Sequence, residues 1–192
     1  MEDKKNLKNK WISIAKQYDL FIFDFDGTIT QPLSVDWIAL KKELHALLNK
    51  PFSTLNTMDK LLYEIRNVIG ESGIKKAYNL INEYEKMSIK NTHINNNFQE
   101  ILTCLPKNKK KAIFSTNMKN TIKTILLNYD LLNHFNVIIS KEDISKYKPD
   151  PEGLLIILNN LKIPALKAIY IGNMKSDLIA GRKAHIKTIL IS

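Results

Sequence analysis

At 192 residues the chain has room for one α/β core with a small accessory subdomain, but not for two full enzymatic domains. Its 44% hydrophobic and 25% charged residues are those of a soluble globular protein, and no apolar run nears the length of a membrane span. The net charge of +10 comes from lysines spread along the chain, with local runs only at Lys4-Lys5 and residues 107–111. No aromatic platform for stacked bases accompanies them, so the charge fits an anionic substrate or a plain compositional bias better than nucleic acid.

Residues 1–10 mix Lys, Asn, Asp and Glu without an apolar centre, which is not a secretory signal. The single cysteine, Cys104, excludes an intramolecular disulfide and fits a reducing compartment, so a cytoplasmic protein is expected. Cys104 lies in an apolar stretch and reads as a helix residue rather than a nucleophile. The four histidines show no metal-ligand spacing.

In chain order, residues 1–17 read as a poorly ordered start and a short amphipathic turn carrying Trp11, Ile12 and Ile14. Leu20-Phe21-Ile22-Phe23 then forms a buried strand that stops abruptly at Asp24-Phe25-Asp26-Gly27-Thr28. After a loop over residues 29–34 containing Pro32, the spacing predicts a helix over 35–49, with Trp37, Leu40, Leu44 and Leu47 on one face and Pro51 beyond its end. A second helix is predicted over 58–69, a break over 70–73 and a third helix over 74–87. Asn95 to Asn97 offer an N-cap for a helix reaching Leu105, closed by Pro106. No strand signal interrupts this block, so residues 32–105 are expected to be a helical cap inserted after the first strand.

The core resumes with a short strand at Ala112-Ile113-Phe114 and a helix over 118–132, whose inner face carries Ile122, Ile125, Leu126 and Tyr129. Strands follow at 137–139, 168–171 and 188–191, alternating with helices over 151–161 and 176–184. Such alternation predicts an α/β fold with a largely parallel, Rossmann-like sheet and right-handed crossovers, its core formed by residues 1–31 and 106–192.

A parallel sheet gathers the polar residues at its carboxyl ends along one edge. Asp24 projects from the end of the first strand, and Gly27 lets the chain turn so that Asp26 faces the same point. Two acids sharing a site are driven to different protonation states, which suits a nucleophile beside an acid/base; the bland alternative is a strand end with two surface acids. Ser115-Thr116-Asn117 could bind phosphate oxygens through a hydroxyl and backbone N–H groups, or could be an ordinary helix cap. Lys148, held by Pro149, is a pre-set cation for a transition state gathering negative charge, or else a solvated loop lysine.

These stretches together resemble the haloacid dehalogenase-like hydrolases, in order and with plausible separations. The first motif is matched by Asp24-Phe25-Asp26-Gly27-Thr28, the second by Ser115 with Thr116 as the alternative, and the third by Lys148-Pro149-Asp150-Pro151. Gly172-Asn173-Met174-Lys175-Ser176-Asp177 is similar to the fourth, except that Asn173 stands where the family has an acid. The region from Asp24 to Trp37, the Tyr147 to Pro151 run and the helical cap look most similar to the phosphoglycolate-phosphatase-like and β-phosphoglucomutase-like branch.

The resemblance implies an aspartyl-phosphate mechanism, with Asp24 attacking phosphorus and Asp26 protonating the leaving group and then activating water. It implies Ser115 or Thr116, and Lys148, on the phosphate, and Mg²⁺ held by Asp24, Asp26, Asn173 and Asp177, bound more weakly for want of the acid at Asn173. The expected partner is a small phosphorylated substrate selected by closure of the cap, with no membrane involved and a nucleic-acid end the least supported alternative substrate. A phosphomutase would differ only in what receives the phosphoryl group. From another class, a degenerate relative that binds a phosphorylated ligand or a protein partner rests on Asn173 alone.

Overall fold

The computed structural model describes residues 2–55 and 57–191, without the side chains of residues 2–7. Among the described residues one five-stranded sheet runs in the order β3-β2-β1-β4-β5, with β1 at Leu20–Phe23, β2 at Lys110–Phe114, β3 at Val137–Ile139, β4 at Ala168–Gly172 and β5 at Lys187–Leu190. Every neighbouring pair is parallel, and the register sets Phe23 beside both Ile113 and Ile171. The central strand β1 therefore has its carboxyl end flanked by the ends of β2 and β4, where the order of strands reverses and a crevice opens.

Both faces of the sheet are covered, which is why β1 reads as a continuous apolar run rather than an alternating one. One face buries Leu20, Ile22, Ala112, Phe114 and Tyr170 with Leu154, Ile157 and Leu158 of α7 (Glu152–Leu161) and Ala180 of α8 (Lys175–Lys183). Gly153 is obligatory there, since a Cβ would fall 2.2 Å from the Phe114 ring. On the other face, Phe23 meets Phe98 of α5 (Asn96–Cys104) edge-on at 5.3 Å between ring centres.

The chain divides into two compact units, Met1–Leu33 with Thr92–Ser192, and Ser34–Asn91. The second is built of α2 (Trp37–Leu47), α3 (Met58–Ile69) and α4 (Glu71–Ser88), with Leu40, Leu44, Leu61, Ile65, Ala77 and Ile81 buried. Asp36 caps α2 and Thr57 caps α3, each through its side chain. Only Gly70, at φ +77°, breaks the chain between α3 and α4, so the expected four-residue interruption shrinks to one residue.

Helix α5, which the sequence places in the inserted cap, packs within the first unit. Its apolar residues Phe98 and Ile101 are buried there, and an apolar stripe does not announce which unit it covers. The start of the chain departs from expectation as well: α1 (Glu2–Gln17) is a sixteen-residue helix with Trp11 and Ala15 buried, and its many Lys and Asn residues mask the apolar spacing. The run Lys4-Lys5 has side chains outside the described residues. Helix α6 (Lys119–Asn128) ends earlier than predicted, and Tyr129, placed on its inner face from sequence, is 40% exposed with its hydroxyl donating to the Thr92 carbonyl at 2.7 Å. No helix among the described residues is long and apolar enough to cross a membrane.

Candidate active site

Strand β1 delivers Asp24 to the crevice, fixed by a backbone N–H that donates to the Ile171 carbonyl of β4 at 2.8 Å. The chain then turns over the Phe25 carbonyl, which accepts from the amides of Thr28, Ile29 and Thr30 at 3.2, 2.9 and 3.0 Å. Gly27 sits in this turn at φ +77°, and a Cβ on it would lie 2.1 Å from the Asn173 side-chain nitrogen. Glycine is thus required both by the backbone and by the approach of Asn173.

Asp24 is only 6% exposed, and its two oxygens face different partners. The Lys148 ammonium donates to Asp24 Oδ1 at 2.5 Å, while Thr28 Oγ1 lies 3.3 Å from Asp24 Oδ2 and 3.4 Å from Asn173 Oδ1. Lys148 also reaches Asp177 Oδ1 at 2.9 Å and sits 4.8 Å above the centre of the Phe114 ring. One buried lysine therefore ties the loop before α7 to the end of β1 and the first turn of α8, and touches the residue before Ser115.

Asp177, in the first turn of α8, is fully engaged. Its Oδ1 accepts from Lys148 and, at 2.7 Å, from the Tyr170 hydroxyl; its Oδ2 accepts from the amides of Asn173 and Met174 at 3.2 and 2.9 Å. Gly172 allows this, because a Cβ there would lie 2.5 Å from the Asp177 carboxyl carbon. Asp26 is half-buried in the turn, and its Oδ1 accepts from the Leu33 amide at 2.7 Å. Ser115 is buried, with its hydroxyl donating to Asn117 Oδ1 at 2.8 Å and accepting from the Asn117 amide at 3.0 Å. Thr116 beside it is half-buried.

Burial pushes the Asp24 carboxyl above its ordinary value; Lys148 opposes this and the charge of Asp177 reinforces it. Burial acts on Asp177 in the same sense, but Lys148, the Tyr170 hydroxyl and the Met174 amide outweigh it and hold that group below its ordinary value. Lys148 is disfavoured as a cation by burial, yet Asp24 and Asp177 together raise it above its ordinary value. Burial and the same two acids push Tyr170 well up, so it stays a neutral donor. The cluster carries two acids and one fixed cation in a small volume.

Among the described residues no three or more His, Cys, Asp or Glu side chains group as a metal site. The oxygens that do converge are Asp24 Oδ2 and Asn173 Oδ1, both beside the Thr28 hydroxyl. Hard oxygens of this kind suit Mg²⁺, though with one carboxylate fewer than two acids would supply. Asp177, expected in the metal set, has both oxygens committed to other groups.

Tyr170 and the linking role of Thr28 were not singled out from sequence. A tyrosine inside the fully buried strand Ala-Ile-Tyr-Ile is the signal for the first, since such a hydroxyl needs a partner.

The profile of one protein family, described as haloacid dehalogenase-like hydrolase, matches residues 21–191. A provisionally named PpaX pyrophosphatase of Caldanaerobacter subterraneus is 26% identical over 88% of this chain and 80% of its own length. The pyrophosphatase PpaX of Listeria welshimeri is 32% identical over 65% of this chain and 53% of its own length. Among solved structures, a provisionally assigned phosphoglycolate phosphatase of Lactobacillus plantarum superposes with a TM-score of 0.66 at 22% identity, covering 91% of this chain and 86% of that one.

Proposed function

The chain belongs to the haloacid dehalogenase-like hydrolases, and from that premise we propose that it is a magnesium-dependent phosphatase acting on a small phosphorylated metabolite. The observation that carries this is a buried Asp24 whose one oxygen is held by Lys148 while the other stands beside Thr28 and Asn173. A carboxylate oriented in this way is a poised nucleophile.

In this reading Asp24 attacks phosphorus in line and forms an aspartyl-phosphate as the ester P–O bond breaks. Asp26, protonated at the start, gives its proton to the departing alkoxide. A water molecule then attacks phosphorus, Asp26 takes a proton from it, the P–O bond to Asp24 breaks and inorganic phosphate leaves. Lys148 offsets negative charge on Asp24 and on the phosphoryl oxygens, and Asp177 with Tyr170 keeps that ammonium in place. Thr116 presents a hydroxyl and Ser115 the turn that shapes this end of β2. Magnesium would be held by Asp24, the main-chain carbonyl of Asp26, and Asn173, and would supply charge neutralisation between the anionic substrate and the anionic nucleophile.

The pyrophosphatase names of the two relatives favour a second substrate reading, a phosphoanhydride whose leaving group is phosphate rather than an alkoxide. Both readings share Asp24 as nucleophile. The test is hydrolysis of an aryl phosphate and of pyrophosphate by the purified chain across a magnesium titration. Turnover should require the cation and fall by about a thousandfold or more in Asp24→Asn. Equal turnover in that variant, or turnover indifferent to chelation, would overturn the proposal.

A further inference from the structure

The opposite, amino edge of the same sheet holds a cavity of about 520 Å³ among the end of α5, the start of β2 and the residues before β3. Its lining includes Lys107, Lys109, Lys111, His134 and Asn136, and no acidic residue. Lys111 is the unusual member: it is only 4% exposed, and its ammonium is held by main-chain carbonyls alone, that of Lys109 at 3.1 Å and that of Pro106 at 3.5 Å. Among the described residues no carboxylate pairs with it. An ammonium has three donors, and two carbonyls leave its charge uncompensated. Buried charges in proteins are ordinarily paired.

The neighbouring groups do not remove the excess. Asp19 pairs with Lys109 at 2.9 Å, which accounts for one lysine of the three. Asn136 is spent on the backbone, its side chain accepting from the Lys111 amide at 3.0 Å while its own amide donates to the Lys111 carbonyl at 2.8 Å. Lys107 and Lys111 remain to face the cavity with His134. The volume falls in the range of small-molecule sites rather than that of a single trapped water.

We propose that this cavity is a second anion site, distinct from the Asp24 cluster, which binds the phosphate groups of a small phosphorylated molecule through Lys107 and Lys111. Lys111 and Ser115 are four residue steps apart along β2 and just past its end, about 13 Å, so one phosphate cannot serve both places. Burial lowers the Lys111 ammonium below its ordinary value, and an anion seated beside it reverses that penalty. The lysine run over 107–111, which the proposed chemistry at the other edge does not use, acquires a purpose here.

The test is calorimetric titration of the full chain, without magnesium, with inorganic phosphate and separately with methylenediphosphonate, which cannot be hydrolysed. The proposal expects a site whose affinity falls about tenfold or more in Lys107→Glu/Lys111→Met, with magnesium-dependent turnover unchanged within about twofold. Binding of both probes identifies a single phosphate as sufficient, and binding of the diphosphonate alone identifies a diphosphate-bearing ligand. Anion binding that is absent, or equal in wild type and double variant, overturns it. Should the double variant fail to show a cooperative thermal transition, Lys107→Glu alone decides: an affinity loss of about threefold or more supports the site, and none removes it. The binding outcomes, unlike the turnover control, do not depend on whether the chain proves to be a phosphatase.

Discussion

Lys148 and Lys111 are both lysines inside the core unit, 7% and 4% exposed, at opposite edges of one sheet, and their surroundings differ in kind. Lys148 is held between the carboxylates of Asp24 and Asp177, above two aromatic rings; Lys111 is held by two peptide carbonyls beside an open cavity. The acids raise the first lysine and burial lowers the second. At the carboxyl edge, charges fix one another and so fix Asp24, the proposed nucleophile. At the amino edge a charge is kept available.

The largest break in this comparison is Lys148→Met. It leaves two buried acids facing each other without their cation, and should cost about 3 kcal/mol, read as a lowered urea midpoint, together with loss of turnover. A shift below about 1 kcal/mol would mean that the ion pairs at this edge are not what holds it. Lys111→Met should stay below about 1.5 kcal/mol in the same assay, because only neutral carbonyls lose a donor.

Asn173→Asp sharpens the contrast at the carboxyl edge. A third acid near Asp24 and Asp177 should lower stability without magnesium and tighten magnesium by about tenfold, with turnover kept or raised. Should the change create turnover where the natural chain has none, Asn173 marks a relative that binds its phosphorylated ligand without hydrolysing it.

The smallest effect lies in alkaline solution. Lys148 titrates above 10.5 in the folded chain, so its stabilisation is complete below that pH and is lost as pH rises through the raised value. Lys111 titrates below 10.5 in the folded chain, so between its lowered value and 10.5 the unfolded chain binds more protons and stability rises with pH. Urea midpoints measured from pH 8 upward should therefore decline more steeply in Lys111→Met than in the wild type. A parallel decline would show that Lys111 does not titrate low.

Much of the clustering at the carboxyl edge was legible in the sequence because its signals are local. An apolar strand that stops at Asp-x-Asp-Gly-Thr, and a lysine pinned by a following proline, need no knowledge of what lies across the sheet. The engagement of Asp177 was not legible in this way. It depends on Lys148 arriving from the loop before α7 and on Tyr170 pointing from β4 toward α8, relations that only the strand order creates. The side taken by α5 was hidden for a similar reason: Phe98 and Ile101 make the same apolar stripe whichever unit they cover. Helix α1 reads from sequence only as a short turn because Lys and Asn dominate residues 4–10, ahead of Trp11 and Ala15, so only packing reveals the helix.

The central claim is that Asp24 is phosphorylated during turnover, and trapping that species tests it most directly. The chain would be mixed with a radiolabelled phosphomonoester or pyrophosphate and magnesium, quenched in acid within the first turnover, and the label mapped by peptide. Label on the peptide containing Asp24, absent in Asp24→Asn, is the predicted result. Turnover that leaves no label on the wild-type chain and persists in Asp24→Asn would contradict it.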